Sequence, residues 1–237
     1  MRVLFSTGSS ARYMAPPRLG EEQINCGPDW ADRQLAGSYV SLSTPVGEYD
    51  LAAVAQRLPG DQKPDAVVCL VDASWRNLPR NLRSFRCPKV LLIADTHHLS
   101  QPLSRMIAYA RSEPFDRLVV LYDRHHYDIL RAGGLEQLFW FPGLTFPHED
   151  DLVHAARSAT RDASLSFVGQ LGICHPQRVQ QLSRLCGHNL PLQVEAVSQR
   201  EAIRFYGRSL VGFNASLNGD LNLRAFEILS SGAMLLT

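Results

Sequence analysis

The chain has 237 residues, 45% of them hydrophobic and 20% charged, a composition that suits one or two globular domains with ordinary cores. Its 24 Lys+Arg and 23 Asp+Glu leave a formal charge of +1, so no global field draws it to nucleic acid or to an anionic membrane. The longest apolar runs, such as Ala66 to Val71 and Val90 to Ala94, are far too short to span a bilayer. Met1 leads straight into Val3-Leu4-Phe5 without the pattern of a secretory signal, and five cysteines without paired spacing fit reduced thiols. These features predict a cytoplasmic protein with no transmembrane segment. Only two of the basic side chains are lysines, Lys63 and Lys89; the arginines that replace them suit phosphate and carboxylate ligands wherever position allows.

In chain order, Val3 to Ser6, Ala66 to Val71, Val90 to Ala94, Leu118 to Tyr122 and Leu138 to Phe141 read as buried parallel strands. Between them Leu51 to Leu58, Leu103 to Ala110 and His126 to Ala132 read as amphipathic helices, the last closed by Gly133-Gly134. Residues 8 to 47 carry many turn formers and no clear period, and are expected to be a long loop. A polar stretch from Thr145 to Ala163 follows. The second series then runs strand 165–168, helix 177–186, strand 192–197, helix 200–206, strand 210–213, helix 223–229 and strand 234–236. Val179, Leu182, Leu185 and Cys186 give its first helix an apolar stripe. This alternation predicts an α/β protein with two Rossmann-like domains, residues 1–145 and 164–237, joined by a linker at 146–163. An open α/β domain normally continues with a helix after such a strand, so the second domain is expected to be incomplete at Thr237, to be finished by a missing segment or a partner. In such sheets ligands bind beyond the carboxyl ends of the strands.

The strongest local feature is the segment from Phe213 to Thr237: a strand, an Asn/Gly/Asp loop, a short helix, a Gly break and another strand. Asp220 or Asn222 can cap the helix, whose free N–H groups and positive dipole end attract phosphate. Arg224 and Glu227, three apart, can offer a cation to phosphate and a carboxylate to ribose hydroxyls. The same spacing also makes an ordinary solvent-side salt bridge. Earlier, Gly169 and Gly172 in Ser166-Phe-Val-Gly-Gln-Leu-Gly172 let the backbone approach a ligand, with Arg178 in the first turn of the helix that follows.

The run Asn222-Leu-Arg-Ala-Phe-Glu-Ile-Leu-Ser-Ser-Gly-Ala233 resembles the nucleotide-sugar signature of glycosyltransferases of the GT-B architecture, in particular the spore-maturation-type, family 1-like group. The Phe-Val-Gly block at 167–169 is similar to the strand and loop that open the donor domain in that family. The resemblance implies transfer of a sugar from a nucleoside-diphosphate-sugar to an acceptor hydroxyl. The donor would be held by Gly169, Arg178, Asn222, Arg224, Glu227 and Gly232, with Glu227 on the ribose and Arg178 near the diphosphate. The sequence carries no obvious metal motif, so no resident cofactor and no metal requirement are expected. The second glutamate of many related enzymes is replaced by Gly219, and the arginine that often follows the first glycine by Gln170.

In the first domain, Asp95 and His97 in Ile93-Ala-Asp-Thr-His-His98 follow a strand and are candidates for taking or orienting the acceptor proton. Trp30 and Trp75 are candidates for stacking on an acceptor. Two other readings stand beside the transferase. One is a ligand-binding or interaction protein derived from a glycosyltransferase. The other is a metal-dependent hydrolase with Asp95, His97, Asp123 and His125 as ligands. Consecutive histidines usually face opposite sides, so one member of each pair is expected in solvent.

Overall fold

The computed structural model describes residues 1–8, 16–96, 100–142, 150–162, 165–171, 175–216 and 222–237. They fall into two compact units, one ending at Pro142 and the other running to Thr237. The described residues of the first unit form strands β1 (Arg2–Ser6), β2 (Glu22–Gly27), β3 (Arg33–Leu35), β4 (Ser38–Ser43), β5 (Gly47–Asp50), β6 (Ala66–Asp72), β7 (Asn77–Arg80), β8 (Lys89–Ala94), β9 (Arg117–Leu121) and β10 (Leu138–Phe141). Its helices are α1 (Leu51–Gln56), α2 (Pro102–Ser112) and α3 (Arg124–Ala132).

The main sheet has the order β10-β9-β8-β6-β1-β2-β4-β3. Every neighbouring pair is parallel except β3 with β4. The strand order reverses at β1, which lies between β2 and β6, as in doubly wound sheets. Leu4, Val67, Leu91 and Val120 are buried on four adjacent strands and share one core with Met106 of α2 and Leu130 of α3. The β5–β7 pair joins this core through a buried polar knot. Tyr49 Oη lies 2.7 Å from Ser6 Oγ and donates to Asn77 Oδ1 at 3.0 Å, while Asn77 Nδ2 donates to Ser6 Oγ and to the Leu70 carbonyl. The end of α3 follows the expected glycine stop: Gly134 is left-handed at φ 78°, and Leu135 N–H donates back to the Leu130 carbonyl.

The stretch from 8 to 47 is not a loop throughout, because it contributes β2 and β4 to the main sheet. Each carries too little apolar signal to be read as a buried strand. In β2 the buried Ile24 and Cys26 alternate with Gln23 and Asn25, and the buried pair of β4 is Ser41 and Leu42. What holds β2 is its full register along β1, from Arg2 beside Glu22 to Ser6 beside Cys26, a non-local pairing invisible to local periodicity.

The second unit contains α4 (Asp150–Arg157), β11 (Leu165–Val168), α5 (Pro176–Gly187), β12 (Leu192–Glu195), α6 (Gln199–Gly207), β13 (Val211–Phe213), α7 (Leu223–Ser230) and β14 (Met234–Leu236). The sheet is parallel throughout, in the order β12-β11-β13-β14, so its order also reverses beside its first strand. Alternation along β11 serves both faces. Phe167 packs with Leu182 of α5 and Phe213, and Val168 packs with Tyr206 of α6 and Ile228 of α7.

Residues expected as a linker contain α4, whose Leu152 and Ala156 pack on Ile203 of α6. Half of its residues are polar (Asp150, Asp151, His154 and Arg157), which is why the stretch carries little apolar signal. The α4–α6 crossing is close: a Cβ on Gly207 would stand 2.7 Å from the Ala156 carbonyl oxygen and 2.8 Å from its Cα. Gly207→Ala is therefore expected to push two backbones apart and to destabilise the protein by about 1–3 kcal/mol, read as a lower urea midpoint.

Candidate functional site

The carboxyl ends of β11 and β13 meet at the reversal of the second sheet, where α/β proteins bind ligands. Two arginines converge there. Arg178 lies in the first turn of α5, after Pro176 at its start. It donates to the Gln170 carbonyl at 2.8 Å and to the Ala215 carbonyl at 3.4 Å. Arg224, in the first turn of α7, donates to the Val168 carbonyl at 2.6 Å, and to Asn214 Oδ1 and the Ala215 carbonyl at 3.3 Å each. Both guanidinium groups lie within cation–π range of Phe167, at 5.6 and 4.6 Å from its ring centre. Gly169 leaves room for the second, since a Cβ there would run into the Arg224 guanidinium.

Arg178 is 7% exposed, and its Nε is buried with no hydrogen-bond partner among the described residues. Burial, with the Arg224 charge second, lowers its pKa to about 10. The α5 stripe expected from Val179, Leu182, Leu185 and Cys186 is rotated to accommodate it. Val179 and Cys186 are exposed, and the inward line runs Arg178, Leu182, Leu185. An arginine thus takes a core position at spacing i, i+4, i+7, which is a strong sign of a purpose other than packing.

Asn222 caps α7, its side chain accepting from Ala225 N–H at 3.3 Å. Glu227, one turn on from Arg224, is 9% exposed. It accepts from Gln199 Nε2 at 3.2 Å, and no Arg224–Glu227 ion pair forms among the described residues. The spacing of these two residues therefore serves two separate partners. Burial raises the Glu227 pKa above 4.5, against the opposing effects of the Gln199 hydrogen bond and then the Arg224 charge. The folded protein thus holds this proton more tightly than the unfolded chain, and the contribution of Glu227 to stability falls as pH rises above 4.5. Glu227→Gln is expected to raise the melting temperature relative to the wild type at pH 7.5, with the difference shrinking towards pH 4; thermal unfolding across that range checks it.

Gly232 lies past the other end of α7, left-handed at φ 80° and beneath Arg157 and Arg161. Arg161 donates there to the Ser209 and Ser231 carbonyls. This is the position of a helix terminator, a helix length away from Asn222. Sequence reading passed over Gln199 and Asn214. Gln199 had a usable signal, because it opens the buried line Gln199, Ala202, Ile203, Tyr206 of α6 as a polar residue in an apolar register.

In the first unit, Asp95 is exposed and left-handed at φ 45° immediately after β8. His97 lies outside the described residues. Asp123 is buried and faces His126 rather than the exposed His125. His126 Nδ1 is 3.6 Å from Asp123 Oδ2 and 2.5 Å from the buried Thr96 Oγ1. Among the described residues no group of three or more His, Cys, Asp or Glu side chains is placed to hold a metal. Trp75 packs on the core with the Arg105 guanidinium 4.4 Å over its ring, and Trp30 N–H donates to the Gly27 carbonyl. Among the described residues no helix is long and apolar enough to cross a membrane.

The two largely parallel sheets and their helices define the class of fold: mixed α/β with two Rossmann-like units, of GT-B type. Among solved structures the chain is similar to an alpha-glucosyltransferase determined in complex with UDP and a 13-mer DNA containing a HMU base. The TM-score is 0.51 at 12% sequence identity, and the match covers 99% of this chain and 79% of that one. At that identity the likeness is one of fold, and it does not single out the spore-maturation-type group. No protein-family model matches the sequence, and no curated protein matches it.

Proposed function

We propose that this protein is a glycosyltransferase that moves a sugar from a nucleoside-diphosphate-sugar to an acceptor hydroxyl, with the donor on the second unit and the acceptor served by the first. The observation that carries the reading is Arg178, a buried cation beside Arg224 that makes no ion pair among the described residues. Two adjacent guanidinium groups call for a ligand with at least two negative charges, and a diphosphate supplies them. A GT-B-type fold, shared with a glucosyltransferase that was solved with UDP, supports the same reading.

In the proposed reaction the acceptor oxygen attacks the anomeric carbon and the bond from that carbon to the diphosphate oxygen breaks. The charge that gathers on the departing diphosphate is met by Arg178, Arg224 and the N-terminal N–H groups of α7. The hydroxyl proton passes to a base, for which Asp95 and His97 are the candidates.

Thermal unfolding with UDP, GDP, CDP, dTDP and ADP, each with and without Mg²⁺, tests the donor site. A ligand at a hundred times its Kd adds about 2.7 kcal/mol to stability. One diphosphate is expected to shift the transition, and Glu227→Ala to reduce the shift. A flat panel would overturn the donor reading.

A further inference from the structure

We infer that Gln199 is a positioning residue for Glu227: its amide holds one carboxylate oxygen, the other is left to accept from the vicinal hydroxyls of a ribose, and the pair selects ribo- over deoxyribonucleotides. This rests on the donor reading above and assigns a role to a residue outside the signature that suggested it.

The argument begins with the place of Gln199 in α6. The buried residues of that helix are Gln199, Ala202, Ile203, Tyr206 and Gly207, an apolar stripe opened by an amide. A buried amide without a partner destabilises a fold, so its presence requires something to hold. That partner is Glu227, at 3.2 Å, with Gln199 only 8% exposed. The backbone at Gln199 is fixed by the preceding cap, in which Ser198 and Glu201 satisfy each other's N–H groups. The amide is therefore delivered from an anchored first turn.

The chemistry of the pair points to its ligand. A carboxylate neutralised by arginine would offer little to a neutral hydroxyl. Here the guanidinium nearest in sequence, Arg224, is engaged with the Val168 and Ala215 carbonyls and with Asn214. Glu227 is held by a neutral donor and keeps its remaining acceptor positions. Two adjacent hydroxyls match the acceptor positions that one carboxyl group has left. Spacing agrees as well. Glu227 follows Arg224 by about one helical turn, roughly 5 Å, the step from a nucleotide's phosphates to its sugar.

The test uses the full chain and whichever of UDP, GDP, CDP or ADP binds it, alongside the 2′-deoxy and 2′,3′-dideoxy forms of the same nucleotide, by calorimetry. The wild type is expected to prefer the ribonucleotide to the dideoxy form by about tenfold or more. Gln199→Leu should lose about that factor for the ribonucleotide and leave the dideoxy form within about twofold, so that discrimination collapses. In a Glu227→Gln background the same change should add nothing. Where the leucine variant fails to fold, Gln199→Asn withdraws the amide by one carbon and repeats the comparison. Equal weakening of all three nucleotides, or no change in any, would overturn the inference. A wild type that binds ribo- and dideoxynucleotides equally overturns it while the donor reading stands. A wild type that binds none removes both.

Discussion

Replacing Arg178 with methionine is expected to leave the ligand-free protein about as stable as before, within roughly 1 kcal/mol, while weakening nucleoside diphosphate binding by up to about a hundredfold. The two halves of this expectation have one origin. A guanidinium that is 7% exposed has lost most of its hydration, its Nε has found no partner among the described residues, and a second guanidinium stands beside it. Its two carbonyl contacts, to Gln170 and Ala215, offset part of that cost. Methionine fills similar volume beneath Phe167 without a charge, and cores commonly accept such exchanges at little or no loss. Binding behaves oppositely, because an anion supplies what the site lacks, and each charge-assisted hydrogen bond removed is worth about 1.5–3 kcal/mol. Thermal unfolding without ligand and calorimetry with the diphosphate that binds read the two halves separately. A loss of stability above about 2 kcal/mol in the ligand-free state would make Arg178 a structural tie instead.

The same residue shows where sequence reading stops. Runs such as Ala66 to Val71 announce themselves because a central parallel strand is covered on both faces and reads as continuously apolar. Strand β2 does not, since Gln23 and Asn25 alternate with its buried residues and only pairing with β1 defines it. Helix α5 was legible as a helix, but its inward line was not. Counting only apolar residues places Val179 and Cys186 inside, whereas the fold turns Arg178 inward. Periodicity locates elements, and polar residues that take core positions are what it misassigns. Arg178, Gln199 and Glu227 are all of this kind. The motif made Glu227 and Arg178 visible by type and spacing, while Gln199, outside any motif, needed the three-dimensional contact. Arg224 and Glu227 carry a related lesson, because a spacing of three allows an ion pair and the fold gives each a different partner.

Gly169→Ala is expected to lower diphosphate affinity about as far as Arg224→Ala does, tenfold to a hundredfold, and the double variant to bind no worse than either alone. The reason is steric. A methyl group at Gly169 would run into the Arg224 guanidinium and stand 3.1 Å from the Phe167 ring edge. The ring is fixed in the core between Leu182 and Phe213, so it is the tip of the arginine that gives way. Once displaced, Arg224 loses its 2.6 Å hydrogen bond to the Val168 carbonyl and its contacts with Asn214 and Ala215, which aim it at the strand ends. The arginine tip can move, but Gly169 holds φ 155°, which a residue with a side chain rarely adopts, so about 1–3 kcal/mol of destabilisation is expected without loss of the fold. Gly187→Ala at the end of α5, where a Cβ meets nothing within 4 Å, is the matched control and should leave binding unchanged. Additive losses in Gly169→Ala and Arg224→Ala would mean that Gly169 touches the ligand directly; non-additive losses would mean that it acts by making room for Arg224.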